Sequence, residues 1–208
     1  MRKHLQSIIF FFKSKIEENG VKNSAWFNNA FKNTPEYQVH YTESSYYFLW
    51  SVLLDRIKRG NVKSIIDLGC GPGQFASLLF DNEIERYLGI DFSEEAIKLA
   101  KSICPKFNFK VMDLAKSDIL ATYDYDCVIT MEFLEHIEFD IDVLKQIKSG
   151  TKVFATVPNF PYVSHVRHFE NTDEVINRYN YLFSEFSVYP FLENNKGKIF
   201  FLIEGKKL

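Results

Sequence analysis

Ile65-Ile66-Asp67-Leu68-Gly69-Cys70-Gly71-Pro72-Gly73 decides the fold of this 208-residue chain. An apolar run meets an acid and then three glycines at alternate positions, and helix-compatible residues follow at once over 74–80. A buried strand that turns directly into a helix, through a loop nearly free of side chains, lets a ligand approach the backbone. A turn that binds nothing satisfies the same pattern, so the ligand has to be argued from the residues around it.

The spacing is G-x-G-x-G, not the G-x-G-x-x-G of a pyrophosphate-binding loop. Asp67 stands two residues before the first glycine, where its carboxylate would repel a phosphate. Pro72 also removes an N–H that a phosphate could use. Both departures argue against NAD, FAD or ATP. They favour a ligand with a cationic end, an amino group or a sulfonium, shaped like S-adenosylmethionine.

Working outward, strand and helix patterns alternate. Strands are expected at 64–67, 87–91, 108–112, 127–131 and 152–157, and helices at 74–79, 93–102 and 142–148. Ser93 is a candidate N-cap, with Glu94 and Glu95 in the first turn and Lys98 and Lys101 toward the far end. Alternation of this kind implies a parallel sheet covered on both faces. The end of the chain differs. Residues 181–189 and 198–204 read as two strands closing a hairpin around Asn194-Asn195-Lys196-Gly197. Residues 1–60 read as a helical lid or extension, with a helix over 43–59 ending near Gly60-Asn61. Residues 61–208 form the ligand-binding domain, in one structural unit with that extension.

Ligands of open α/β sheets bind at the carboxyl ends of the strands. Strand one ends at Asp67. Strand two ends at Asp91, about twenty residues beyond the glycines, where a carboxylate takes ribose hydroxyls. Phe92 follows and suits a purine face. Strand three ends at Met112-Asp113 and strand four at Thr130-Met131-Glu132. Acids at successive strand ends, in register with a glycine loop, form one constellation.

These segments, 65–73, 87–92, 111–113 and 126–137, resemble those of class I S-adenosylmethionine-dependent methyltransferases, in the same order. The resemblance implies a three-layer α/β/α sandwich. Its seven-stranded, mostly parallel sheet would run 3-2-1-4-5-7-6, with strand 7 antiparallel. It implies that Gly69 and Gly71 approach the methionine moiety, and that Asp67 helps hold its amino group. Asp91 takes the ribose hydroxyls and Asp113 the adenine amine, with Met112 and Phe92 packing the ring. Cys70 and Gly73 of the same loop and Met131 at the end of strand four complete the cofactor-binding set. Tyr41, from the phenol-rich stretch 37–47, is expected as a lid residue over the cofactor.

Methyl transfer requires an aligned acceptor and, for many acceptors, removal of a proton. Glu132-Phe133-Leu134-Glu135-His136-Ile137 follows strand four, and Pro158-Asn159, His165, Arg167 and His168 come later. Glu135, His136, His165 and His168 are the candidate catalytic residues. His165 and His168 are three apart, which one helical turn would place on one face. The Glu-x-x-Glu-His run also resembles the metal-dependent RNA 3′-terminal 2′-O-methyltransferases. The reading favoured here is a metal-free site acting on a small-molecule acceptor, by O- or N-methylation. An S-adenosylmethionine-binding protein without transfer activity is a further alternative.

Composition sets the outer limits. The formal net charge is −2, so no overall basic field calls for nucleic acid. The chain is rich in aromatics, with 21 Phe and 11 Tyr, which suits a Phe-packed core. Cys70, Cys104 and Cys127 have no metal-ligand spacing and read as free thiols of a reducing cytoplasm. The apolar run Ile8-Ile9-Phe10-Phe11-Phe12 is closed by Lys13 and is too short for a membrane span. A helix packed on the domain or on a second copy in a homodimer is expected there.

Overall fold

A computed structural model describes residues 20–192 and 197–208. The apolar run at 8–12 and the turn residues Asn194, Asn195 and Lys196 lie outside the described residues.

Seven strands form one sheet in the order β3-β2-β1-β4-β5-β7-β6. They are β1 (Ser64–Leu68), β2 (Arg86–Asp91), β3 (Asn108–Val111), β4 (Cys127–Met131), β5 (Lys152–Pro158), β6 (Phe183–Leu192) and β7 (Ile199–Lys207). β1 to β5 pair in parallel, and β7 runs antiparallel to both β5 and β6. The order and the single reversed strand match the expectation. The hairpin strands extend further than expected, because β6 and β7 stay paired out to Leu192↔Ile199.

Alternate residues of each strand feed two apolar layers. Ile65, Tyr87, Ile129 and Phe154 face one, and Ile66, Leu88, Val128 and Val153 the other. Every residue of β1 is buried, as parallel strands covered on both faces require. The first layer is closed by α2 (Tyr47–Arg59), α3 (Gln74–Asp81) and α4 (Glu94–Ile103), with α1 (Ser24–Asn33) packed against α4. The second is closed by α5 (Ile119–Thr122), α6 (Asp140–Gln146) and α7 (Thr172–Tyr179). Leu53 and Ile57 of α2 are fully buried in the same layer as Ile65.

Local chemistry explains most boundaries. Asn23 caps α1 and Ser93 caps α4, each side chain accepting an N–H of the first turn. The helix expected from residue 43 begins at Tyr47, after the 3-10 turn Tyr41–Glu43. The helix expected at 142–148 begins earlier, at Asp140, because Asp140 is anchored inward. Its buried carboxylate accepts two bonds from Arg178 and one from the Tyr179 hydroxyl, each at 2.8 Å, and tethers α6 to α7.

Candidate methyl-transfer site

The glycine loop, 69–73, lies between β1 and α3. Its hydrogen bonds reach sideways: the N–H groups of Gly69 and Cys70 both donate to the Ile90 carbonyl of β2. Two glycines are sterically required. A Cβ at Gly69 would meet the Phe133 ring at 2.7 Å, and one at Gly73 would lie 2.9 Å from the Ala100 backbone. Both have left-handed φ, +76° and +82°, which other residues adopt only at a cost.

Asp91 is the centre of the donor half. One carboxylate oxygen accepts the Gly71 N–H at 3.1 Å and the other the Ser93 N–H at 2.8 Å. Burial pushes its pKa up to about 6. Asp67 is buried beneath the loop and accepts the Tyr87 hydroxyl at 2.6 Å. Burial lifts it to about 7, against the opposing pull of that bond. Asp113 is exposed and paired with Lys116 at 2.8 Å, which holds it below the usual carboxylate range. Met112 accepts the Ser117 hydroxyl through sulfur. Met131 packs on the first apolar layer. The Cys70 side chain turns inward over Gly89, so only its backbone faces the loop.

The N-terminal segment roofs this half. The Phe31 ring lies over Gly71, and Phe27 meets Phe92 edge-on at 5.3 Å. Asn28 accepts from the Ser93 hydroxyl and the Glu95 N–H. Gln74 donates to the carbonyls of Glu36 and Val39. Tyr41 is a correction. Its hydroxyl donates to Asp81, the last residue of α3, one helix length, roughly 12 Å, from the loop. The phenol that reaches the site is Tyr37, packed on Phe31 and electrostatically beside Glu132 and Tyr162.

The acceptor half is built by the turn after β4. Glu132 takes a left-handed φ of 51°, rare for a residue with a Cβ and found where a site constrains the chain. Thr156 of β5 holds it twice: the Glu132 N–H donates to Thr156 Oγ1, and that hydroxyl donates to Glu132 Oε1. Arg167 clamps the following turn by donating to the carbonyls of Leu134, Ile137 and Glu138.

This turn brings Glu135, His136 and His165 together, with one ligand-type atom of each within 4.8 Å of the others. Glu135 is fully buried, and burial, then the charge of Glu132, drives its pKa well above the carboxylate range. Burial lowers His136, and burial together with His136 lowers His165 to about 4. Both imidazoles are therefore neutral at pH 7. His168 does not join them. It is exposed, in a groove with Arg167, Glu174 and Arg178. The expected helical turn over 165–168 is absent, because Val166 and Phe169 donate their N–H groups to the carbonyls of Glu135 and Pro158 instead.

Sequence reasoning missed the roof (Phe27, Asn28, Phe31, Gln74) and the supports Thr156 and Phe133. The Asn23 cap was a readable signal for α1; nothing in the sequence marks the backbone of Glu132 as left-handed.

A positive-φ glycine turn, a buried carboxylate at the end of β2 and an aromatic beside it fit a nucleoside without phosphates. With the sheet order they define the class I S-adenosylmethionine-dependent methyltransferase fold. The family described as methyltransferase domain matches residues 60–177, and the chain belongs to it. Its methyl donor is accordingly S-adenosylmethionine. Over 117 residues the chain is 27% identical to a trans-aconitate 2-methyltransferase of Azoarcus sp. (strain BH72), covering 54% of this chain and 46% of that protein. The chain spans about half the length of that relative. Two solved structures share the fold. The N-methyltransferase NodS of Bradyrhizobium japonicum WM9, in complex with S-adenosyl-L-homocysteine, is 16% identical, with a TM-score of 0.70 over 89% of this chain and 99% of that one. The magnesium protoporphyrin IX methyltransferase of Synechocystis PCC 6803 is 14% identical, with a TM-score of 0.64 over 91% and 99%.

Proposed function

We propose that this protein transfers a methyl group from S-adenosylmethionine to an oxygen or nitrogen of a small-molecule acceptor. The observation that carries this reading is Phe27, whose ring touches both Phe92 on the donor side and His136 on the acceptor side, at 5.3 and 5.5 Å. One aromatic ring spans the two halves under the roof, a cover that suits a metabolite better than a polymer. The net charge of −2 also favours a small acceptor over RNA. The trans-aconitate relative acts on a compound of that size.

When bound, S-adenosylmethionine supplies an electrophilic methyl on a cationic sulfur. In this reading Asp91 accepts the ribose hydroxyls, Asp67 faces the amino group, and Met112, Phe92 and Asp113 frame the base. Phe27 and Phe31 exclude water. Tyr37 and Glu135 orient the acceptor, and the neutral imidazole of His136 or His165 receives its proton. Among the described residues no helix is long and apolar enough to cross a membrane. Three buried free cysteines accord with a cytoplasmic location.

The test is transfer of radiolabelled methyl from S-adenosylmethionine to pooled carboxylic acids, phenols, sugars and amines, beside RNA oligonucleotides. Labelled small molecules are expected. Labelled RNA with no labelled metabolite would overturn the reading.

A further inference from the structure

The acceptor half holds a pair of carboxyls flanked by aromatic rings. The Glu135 carboxyl is fully buried and shares a hydrogen bond with that of Glu132. One proton joins them, so the pair keeps one negative charge between two acids. Arg167 acts on Glu135 from behind the turn, where it donates to the carbonyls of Leu134, Ile137 and Glu138 and pairs with Asp140 at 3.3 Å. The rings form a continuous wall. Tyr37 is electrostatically beside Glu132 and packs on Phe31 at 4.8 Å. Phe27 meets His136 at 5.5 Å, His136 meets His165 at 4.8 Å, and Tyr162 meets His165 at 5.6 Å. Aromatic faces carry partial negative charge and attract ammonium groups. The chain itself provides an instance: the Lys198 ammonium stands 4.4 Å over the Phe160 ring, which neighbours His165.

We propose that Glu132 selects the acceptor and that the acceptor is an amine, held as its ammonium between the carboxyl pair and the rings of Tyr37 and Tyr162. This rests on the small-molecule reading above and narrows it to nitrogen. A carboxylate acceptor would meet the like charge of the pair instead. The imidazoles are aimed to take the proton. His136 Nδ1 lies 3.0 Å from the Ser164 carbonyl and His165 Nδ1 lies 3.1 Å from the Phe160 carbonyl. A carbonyl oxygen only accepts, so the proton of each ring sits on Nδ1 and the lone pair on Nε2. That lone pair takes one proton from the ammonium. The freed nitrogen pair forms the bond to the methyl carbon as the carbon–sulfur bond breaks, and the electrons of that bond stay on sulfur. The acceptor leaves as a methylated ammonium ion.

The test uses the full chain and identifies by mass spectrometry which of the pooled amines, carboxylic acids, phenols and sugars carry the label. Labelled amines are expected. Glu132→Gln should lower kcat/KM for a labelled amine at least tenfold. It should leave S-adenosylmethionine affinity unchanged, which shows that the variant folds. With S-adenosylhomocysteine bound, so that no transfer occurs, the same amine should raise the melting temperature of the parent and not that of Glu132→Gln. Label confined to acids, phenols or sugars overturns the inference and leaves the small-molecule reading standing. So does undiminished amine methylation in Glu132→Gln, or a loss of S-adenosylmethionine affinity that places this carboxyl with the donor. The absence of any labelled metabolite overturns both.

Discussion

The donor and acceptor halves of the site lie side by side on one sheet edge and are built on opposite principles. In the donor half the acids are partnered: Asp67 by Tyr87, Asp91 by two backbone N–H groups, Asp113 by Lys116. In the acceptor half Glu132 has a strained backbone, the Glu135 carboxyl is buried against that second acid, and the Ser164 hydroxyl is buried without a hydrogen-bond partner. A satisfied half is stable as it stands, before its ligand arrives. An unsatisfied half carries a free-energy cost that its ligand relieves, the common trade of stability against function.

The sharpest way to break this contrast is Asp91→Ala. Each charge-assisted hydrogen bond to a ribose hydroxyl is worth about 1.5–3 kcal/mol. Losing one or two should weaken S-adenosylmethionine binding by at least tenfold in calorimetry. Unchanged affinity would remove Asp91 from the donor half.

Glu135→Met probes the other side. Burying a carboxyl against a second acid costs about 1–3 kcal/mol, and an apolar side chain of similar length removes that cost. The melting temperature should rise by a few degrees, while methyl transfer is lost. A fall in melting temperature like that of an ordinary core substitution would show that Glu135 is a structural residue.

Acidity separates the halves next. The folded pKa values of Asp67 and Asp91, about 7 and about 6, lie above their ordinary 3.8. Their neutral forms therefore favour the fold. The stability they contribute is complete below about pH 4 and is lost as pH rises through about 6 and about 7. A ligand that donates to these carboxylates favours the ionised forms, so its affinity should strengthen over the same window. Calorimetry and thermal melts at pH 5, 6, 7 and 8 should show the two quantities moving in opposite directions. If they move together, the carboxylates do not receive the cofactor.

The same contrast explains what could be read in advance. The donor half is local: a glycine pattern, an acid at a strand end and a cap at Ser93 each follow from a few adjacent residues. Alternation of strand and helix gave the sheet order only with the family resemblance. The acceptor half depends on distant pairings. Thr156 turns the Glu132 backbone, Ser164 and Phe160 set the tautomers of His136 and His165, and Arg167 holds the loop. None of these has a sequence period. His168 looked equivalent to His165 for that reason; only the paths of their backbone N–H bonds separate them.

The smallest expected effect belongs to Tyr41→Phe. The sequence groups Tyr41 with Tyr37 in one phenol-rich stretch, but the chain separates them. Residues 36–39 are fastened over the loop by Gln74, whereas His40 and Tyr41 start a new turn that runs along α3 toward Asp81. Removing the Tyr41 hydroxyl breaks only an exposed bond to Asp81, so S-adenosylmethionine affinity should be unchanged. Tyr37→Phe keeps the ring that packs on Phe31 and loses the hydroxyl beside Glu132, so it should impair methyl transfer more than cofactor binding. Weakened cofactor binding in Tyr41→Phe, with Tyr37→Phe silent, would mean that the roof closes over the cofactor in another register.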